Sequence, residues 1–433
     1  MQILLIAHDY PPLESPQALR WHYLTRQLLA AGHELTVLCA ALPGHPGNVR
    51  EAAPGATVIS VAPASLHSWA VRVGRHLRLV GSRSVGAGAS RPTSRNWRGT
   101  VNEWIKRGLG ATVFPDVRYA WLKPAERALR AWLQANRPDL VITSHEPAVS
   151  PMLWLRCRLQ GVAWIADLGD PVLSAYTPGR WKRRSFALER DIHAHADALV
   201  VTNATTRDLL ARRHGPHARI EVIPQGFDAT PPPQTPCPDA AGPLTLLYTG
   251  RFYPFRDGRS LFEAVARTPG IVLEVATNSS ATLLESFASR HPGSFRLLGE
   301  LSHEQALLAQ RRSDVLVCLG NADPVQTPGK VYEYLGSQRP ILYIRQGAGD
   351  PVGAWLEGEL RRGWQCDSSV PAISAMLGEL AARSQSRMLH AGLDLNADGA
   401  AEHSWQSRGK VLTMLCQEIV RAQGGSAKAR SST

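Results

Sequence analysis

Twice along this chain, short apolar segments alternate with amphipathic stretches of helical period, and PPPQTPCP at 231–238 separates the two series. Such alternation is the pattern of a doubly wound parallel sheet, in which each crossover helix covers one face. The first series holds a strand at Ile3–Ala7, a helix at Ala18–Ala31 closed by Gly32 and His33, then LTVLCA, a strand at Ala56–Ala62, PDLVITS, GVAWIAD, ALVVTN and IEVIPQG. The second holds LTLLYTG, IVLEVAT, FRLLGEL, VLVCLG and PILYI. Proline is tolerated in neither helix nor sheet interior, so a boundary belongs at the proline run. The expected fold class is therefore α/β: two Rossmann-like doubly wound domains, residues 1–228 and 243–404, joined by a proline-rich linker at 229–242. A helix at 405–422 and a polar, disordered tail at 423–433 follow. Residues 65–112, where the period breaks into glycine, serine, arginine and isolated tryptophans, read as an irregular insertion. Two such domains leave a cleft between the carboxyl ends of their sheets, where open α/β folds bind ligands.

At 433 residues the chain exceeds what one hydrophobic core organises, and 44% hydrophobic with 19% charged residues excludes global disorder. No apolar run reaches membrane-spanning length, and MQILLIAHDY lacks a basic leader, so it reads as a buried strand and not a signal peptide. The six cysteines lack CxxC spacing, which fits a reducing cytosol better than a disulfide framework or zinc site. The formal charge of +12 is concentrated in runs such as Trp181–Arg184 and the arginines between Arg72 and Arg107. Anionic partners are favoured. No helix-turn-helix, zinc finger or aromatic sheet motif accompanies the charge, so nucleic acid is not expected; an anionic membrane surface, a lipid diphosphate and a merely solvated basic face all fit.

Two segments carry chemistry. TPGKVYEYLGSQRPILYI, from Thr327 to Ile344, reads as a turn, a helix and a buried strand. Thr327, Pro328 and Gly329 open the helix, whose unpaired backbone N–H groups and partial positive charge suit a diphosphate; Glu333, one turn in, reaches sugar hydroxyls. LTLLYTGRFYPFRDGRSLFEAVA, from Leu244 to Ala266, reads as strand, glycine turn and helix. Together they resemble the donor-binding segments of the GT-B glycosyltransferases, in particular the retaining family 4 enzymes with their "GR…K" and "SK…EYLA…P" patterns. The resemblance covers nearly all of the chain and implies the GT-B architecture, with the two domains facing each other across the cleft.

By that resemblance Gly250, Arg251 and, five residues on, Arg256 contact the donor diphosphate together with Thr327, Gly329 and Lys330, while Glu333 holds the ribose. Arginine replaces lysine at 256, which keeps the charge but changes its geometry from a point to a planar fork. Each residue also has a structural alternative: Arg251 capping a helix end, Arg256 solvated, Glu333 an exposed helix glutamate. In the first domain His145, at the carboxyl end of PDLVITS, matches a family histidine that contacts the donor sugar. WIADLGDPV resembles the family's "D-R-D-P-W" segment and points Asp167 and Asp170 to the cleft, Asp170 to position the acceptor. A structural histidine and an Asp-Pro turn are the alternatives there. The loop HDYPPLESPQALRW places Glu14 and Ser15 where relatives have paired glycines, so it shapes the acceptor side, with Arg20 facing inward.

The family pattern has a second glutamate where this chain has Val325, with Asp323 two residues away as its substitute, and Gly329 stands where relatives have serine. No DxD motif is present; the implied scheme neutralises the leaving diphosphate with arginines and helix N–H groups, and neither metal nor cofactor is expected. The resemblance implies a cytoplasmic, peripherally membrane-associated glycosyltransferase that moves a sugar from a nucleotide-diphosphate donor to a glycan or lipid-linked acceptor, with retention, in bacterial cell-surface polysaccharide or glycoconjugate synthesis. Val325 and the glycine-poor first loop support an alternative: a catalytically degenerate GT-B protein that binds a glycan, lipid or partner transferase.

Overall fold

The computed structural model describes residues 1–42, 51–64, 113–229, 242–253, 256–279, 282–323 and 325–431. The expected insertion at 65–112, with its tryptophan and arginine cluster, and most of the linker at 229–242 lie outside them. The chain divides into two compact units: Met1–Val201, Arg207–Val222 and Leu412–Thr433 form the first, Thr202–Thr206 and Ile223–Val411 the second.

The first unit is built on β1 (Gln2–Ile6), β2 (Glu34–Ala40), β3 (Thr57–Val61), β4 (Leu140–Ser144), β5 (Ala163–Gly169), β6 (Ala198–Val201) and β7 (Ile220–Val222). They form one sheet in the order β3-β2-β1-β4-β5-β6-β7, every pair parallel. The expected first helix is Pro16–Ala30: the Ser15 hydroxyl accepts the Ala18 N–H, Pro16 supplies a preset φ, and Gly32 at φ 79° closes the end. Trp121, Trp154 and Trp164 are fully buried against the sheet, and the Trp164 indole donates to the Thr143 hydroxyl at 3.0 Å.

The second unit's sheet consists of β8 (Leu244–Thr249), β9 (Ile271–Ala276), β10 (Phe295–Gly299), β11 (Val315–Leu319), β12 (Ile341–Arg345) and β13 (Gly363–Asp367), in the order β10-β9-β8-β11-β12-β13, again all parallel. Alternate residues feed two cores. Leu246, Val315, Val317 and Leu342 enter one, while Leu247, Leu316, Cys318 and Ile341 enter the other. Burial on both faces is what turns these strands into the near-continuous apolar runs visible in the sequence. The strand GWQCD had no such run and was not among the expected strands; among the described residues it is an edge strand that pairs with β12 alone.

Three expectations change. The division falls at Val222/Ile223 and not after Asp228, because Phe227 already packs in the second unit's core and bridges to Ser404. The last helix runs Trp405–Ser431, so the segment expected as a disordered tail is helical to Ser431. Gly424 and Gly425 each cost only about 1 kcal/mol in a helix already propagating, and AKAR after them favours it. Its portion from Leu412 onward belongs to the first unit, so 405–422 is not a separate appendage. The five described cysteines are free and buried, and Cys237 lies outside the described residues.

Gly363, at φ 155°, sits against β12 so closely that a Cβ there would lie 1.9 Å from the Ile341 carbonyl oxygen. Gly363→Ala should cost the second unit at least about 1–3 kcal/mol, as for overpacked cores. Urea unfolding followed by hydrogen exchange should show the loss in β12 and β13 while β1–β7 keep their protection.

Candidate functional site

In both sheets the strand order reverses beside the first strand: β1 lies between β2 and β4, and β8 between β9 and β11. Crossovers leave such neighbours in opposite directions, so a crevice opens at their carboxyl ends. The polar groups of each unit gather there.

In the second unit β8 runs into Gly250 and Arg251. The Gly250 N–H donates to the Ala276 carbonyl at 3.0 Å, and the Tyr248 hydroxyl donates to the Arg251 carbonyl at 2.9 Å. A Cβ at Gly250 would stand 3.2 Å from that hydroxyl. The turn's backbone is thus fixed while the Arg251 side chain is exposed. Arg256 is not merely solvated: its Nε and Nη2 both donate to Asn321 Oδ1, just past β11, at 3.1 and 2.6 Å, and its guanidinium lies over the Tyr253 ring. Asn321 in turn donates to the Gln326 carbonyl at 2.8 Å, which connects Arg256 to the turn ahead of Thr327.

The motif helix is Lys330–Leu335, only 6 residues. Thr327 is half-buried and Gly329 exposed before it. Gly336 follows where a Cβ would lie 2.7 Å from the Phe227 ring. The Tyr334 hydroxyl accepts the Thr249 N–H at 3.0 Å, which locks this helix to the end of β8. Glu333 is buried, against the alternative of an exposed glutamate. Its Oε1 accepts from Gln310 Nε2 at 2.6 Å and from Lys330 Nζ at 2.7 Å, and His303 Nδ1 lies 3.7 Å from Oε2. Burial alone would raise its carboxyl; Lys330, His303 and the two hydrogen bonds outweigh that and hold it at about 2. It is therefore a fixed carboxylate with one oxygen saturated. Where relatives carry the other glutamate, Val325 offers only its backbone: Asn203 and Thr206 donate to its carbonyl at 2.7 and 3.0 Å. Asp323, the expected substitute, spends Oδ1 on the Val325 N–H at 3.0 Å.

In the first unit the calls divide. Arg20 and Asp167, expected to face the acceptor, are both buried, and Arg20 forks onto Asp167 with Nε and Nη2 at 2.9 and 3.1 Å. Each spends its charge on the other, and they hold the start of the first helix to the end of β5. Ser15 is the helix cap, and beside it Glu14 is exposed. His145 is buried after β4, its N–H donating to the Asp167 carbonyl at 2.7 Å; burial lowers its ring to about 4, so it is neutral at physiological pH. Asp170 is half-buried after β5, and near it burial raises the Glu146 carboxyl more than Gln17 and Asp170 lower it. At the end of β1, His8 Nδ1 and Asp9 Oδ1 are 2.6 Å apart; burial would raise the Asp9 carboxyl, but His8 and Arg118 bring it below the ordinary range.

Residues 17–226 match the glycosyl transferase 4-like domain. Glycogen synthase of Mycobacterium tuberculosis is 25% identical over 346 residues, 75% of this chain and 73% of that protein. By these matches the chain is similar to glycosyltransferases. Its fold is shared with sucrose-phosphate synthase from Thermosynechococcus elongatus (TM-score 0.66, 16% identity, 98% of this chain and 100% of that one) and with Anabaena HepE in complex with UDP (TM-score 0.54, 12% identity, 100% of both). Both comparisons place this chain in the GT-B fold.

The sequence reading missed the residues that surround its named ones: Gln310 and His303 around Glu333, Asn321 on Arg256, and Glu146, held by Gln17, next to His145. Only Glu146 carried a local signal, an acid between His145 and a proline in the same turn. The others come from separate elements.

Arg20→Leu would strand Asp167 as an uncompensated buried charge and should cost about 3–5 kcal/mol. In chemical denaturation the double variant Arg20→Leu/Asp167→Leu should recover much of that. The Glu333 carboxyl, held below its ordinary 4.5, contributes stability that is complete above pH 4.5 and lost as pH falls toward about 2. Glu333→Gln should flatten that acid limb, measured as the thermal midpoint against pH.

Proposed function

We propose that this chain transfers a sugar from a nucleotide-diphosphate donor to a glycan or lipid-linked acceptor, with retention and without a required metal, in bacterial cell-surface polysaccharide or glycoconjugate synthesis. The observation that carries this reading is the charge pattern at the carboxyl edge of the second sheet. Arg251, Arg256 and Lys330 bring three cations to the turns after β8 and β11, and beside them lies the ionised, anchored Glu333. Departure of a nucleoside diphosphate builds negative charge on a phosphate oxygen, and prepositioned cations stabilise it without solvent reorganisation. Glu333 Oε2 accepts ribose hydroxyls, and Thr327, Gly329 and the Gly250 turn line the phosphates. Neutral His145 contacts the donor sugar, and Asp170 positions the acceptor. Retention follows if an oxygen of the leaving phosphate takes the proton of the attacking hydroxyl on the same face. The UDP held by Anabaena HepE supports a nucleotide donor.

A peripheral, cytoplasmic membrane location is supported by an exposed patch of Tyr176, Arg180, Lys182, Arg183 and Arg184, with Arg180 and Arg184 over the Trp181 ring. Among the described residues no helix is long and apolar enough to cross a membrane. Failure of the protein to sediment with anionic vesicles at moderate salt would remove that part of the reading.

Thermal shift with UDP, GDP, ADP and dTDP, alone and as sugar conjugates, tests the donor. At a ligand concentration of about 100 times Kd the stabilisation is about 2.7 kcal/mol. One nucleotide class should stabilise the wild type, and Arg251→Ala and Arg256→Ala should lose most of that shift. Val325 in place of an acid favours a second reading, a GT-B protein that binds without catalysing; it takes over if no nucleotide shifts the midpoint.

A further inference from the structure

One side of a single helix converges on the anchored carboxylate of the second unit. The helix His303–Arg312 opens with a capping box between Ser302 and Gln305, and His303 and Gln310 stand on it two turns apart, along the same side. Both reach Glu333 of the motif helix. Gln310 is 0% exposed and donates from Nε2 to Glu333 Oε1 at 2.6 Å, while Lys330 Nζ donates to the same oxygen at 2.7 Å. The other atom of that amide, Gln310 Oε1, is buried with no hydrogen-bond partner among the described residues. Turning the amide over would set two acceptors against each other, so the carboxylate fixes its orientation, and a buried acceptor goes unsatisfied to keep it there. Buried polar atoms are rarely left in that state, and where they are a function is the usual reason.

Two donors on Oε1 leave Oε2 to face His303, whose Nδ1 lies 3.7 Å from it. That separation is too long for a hydrogen bond. A hydroxyl oxygen set beside the line between the two atoms lies within hydrogen-bond reach of both. Its own proton goes to Oε2, and its lone pair accepts from Nδ1–H, the tautomer that a neighbouring carboxylate favours. Lys330 and His303 keep Glu333 ionised, so Oε2 only accepts, and a phosphate or carboxylate oxygen is repelled there while a neutral hydroxyl is not. The side chains of His303 and Glu333 are 20% and 10% exposed, which makes the opening narrow and partly shielded from water.

We infer that His303 and Glu333 Oε2 together hold one ribose hydroxyl of the donor, with Gln310 as the positioning residue that turns Oε2 toward it, so that the chain selects ribonucleotides over deoxyribonucleotides. This rests on the transferase reading above, in which Glu333 alone meets the ribose, and adds a second contact residue, a positioning residue and a disfavoured donor class, to which dTDP belongs. The other hydroxyl of the ribose diol donates to the remaining lone pair of Oε2, so loss of either hydroxyl removes a bond to a charged acceptor.

Isothermal titration calorimetry on the full chain tests it, with UDP, GDP and ADP each beside its 2′-deoxy and 3′-deoxy analogue, and with dTDP. The ribonucleotide that binds wild type should bind roughly tenfold more tightly than either of its analogues, the scale of one hydrogen bond to a charged group. His303→Ala should weaken that ribonucleotide roughly fivefold, the scale of a neutral hydrogen bond, yet leave unchanged the analogue that lacks the hydroxyl His303 reads. General damage to the site would not produce such coupling. His303→Asn, which keeps an N–H close to the place of Nδ1, should restore part of the lost affinity. Gln310→Met should weaken the ribonucleotide and shrink both preferences, because Oε1 then keeps only Lys330 and the carboxylate turns more freely.

Both sites tolerate these changes on structural grounds: the capping box closes through Ser302 and Gln305 without the His303 side chain, and Gln310→Met removes the unsatisfied acceptor together with the donor. Circular dichroism confirms that the variants fold. Analogues that bind as tightly as the parent, dTDP binding more tightly than every ribonucleotide, or His303→Ala weakening parent and analogues equally overturns the ribose reader and leaves the donor reading standing. Binding of no nucleotide at all overturns both.

Discussion

Each sheet is parallel and covered on both faces, and that constraint governs where anything polar can go. A strand such as β11 gives apolar side chains to both sides, so polar groups gather at its ends, many of them past its carboxyl end. In the first unit these are His8, His145, Glu146 and Asp170; in the second, Gly250, Arg251 and Asn321. The reversal of strand order beside β1 and β8 then opens space at those same ends. The location of the polar groups is a consequence of burying everything else.

Carboxylates brought that close to a core need compensation, and the chain uses three different kinds. Asp167 has a full counter-ion in Arg20, and the pair serves the scaffold. Glu333 is ionised with Lys330 and Gln310 on one oxygen, which leaves a carboxylate of defined direction. Glu146 accepts from the neutral amide of Gln17, and burial raises its carboxyl above the ordinary range. The compensation differs among the three although the residue types are nearly the same.

Much of the fold was legible because two-sided burial writes itself as apolar runs; of the strands named, only β13 escaped, since GWQCD is an edge strand with polar positions. Arg256 and Glu333 were legible because spacing within one segment fixes their neighbourhood. Arg20 and Asp167 were seen but not as a pair: sequence marks both as charged, and nothing in it reveals that they point at each other across 147 positions. Gln17, Gln310 and Asn321 were invisible for a related reason, because an amide gains meaning only from the partner that the topology supplies. The tail was misread by treating Gly424 and Gly425 as a stop, when a helix already underway carries through them. The domain boundary was misread because prolines mark where no element can form, whereas the units part where contacts change hands.

The first unit contains both ends of the chain, Met1–Val201 and Leu412–Thr433, and the second lies almost wholly within that span. Synthesis from the amino terminus therefore cannot complete the first unit until the second has been made, and β1–β7 must wait for the final helix with their covering unfinished. Gln423, which donates to Asp197 at 2.9 Å just before β6, comes after the whole second unit in the chain. A fragment cut at the proline run would yield a first unit without its closing segment and, missing Phe227, a second unit with a gap at Gly336. The two units are distinct in their contacts but interleaved in the sequence.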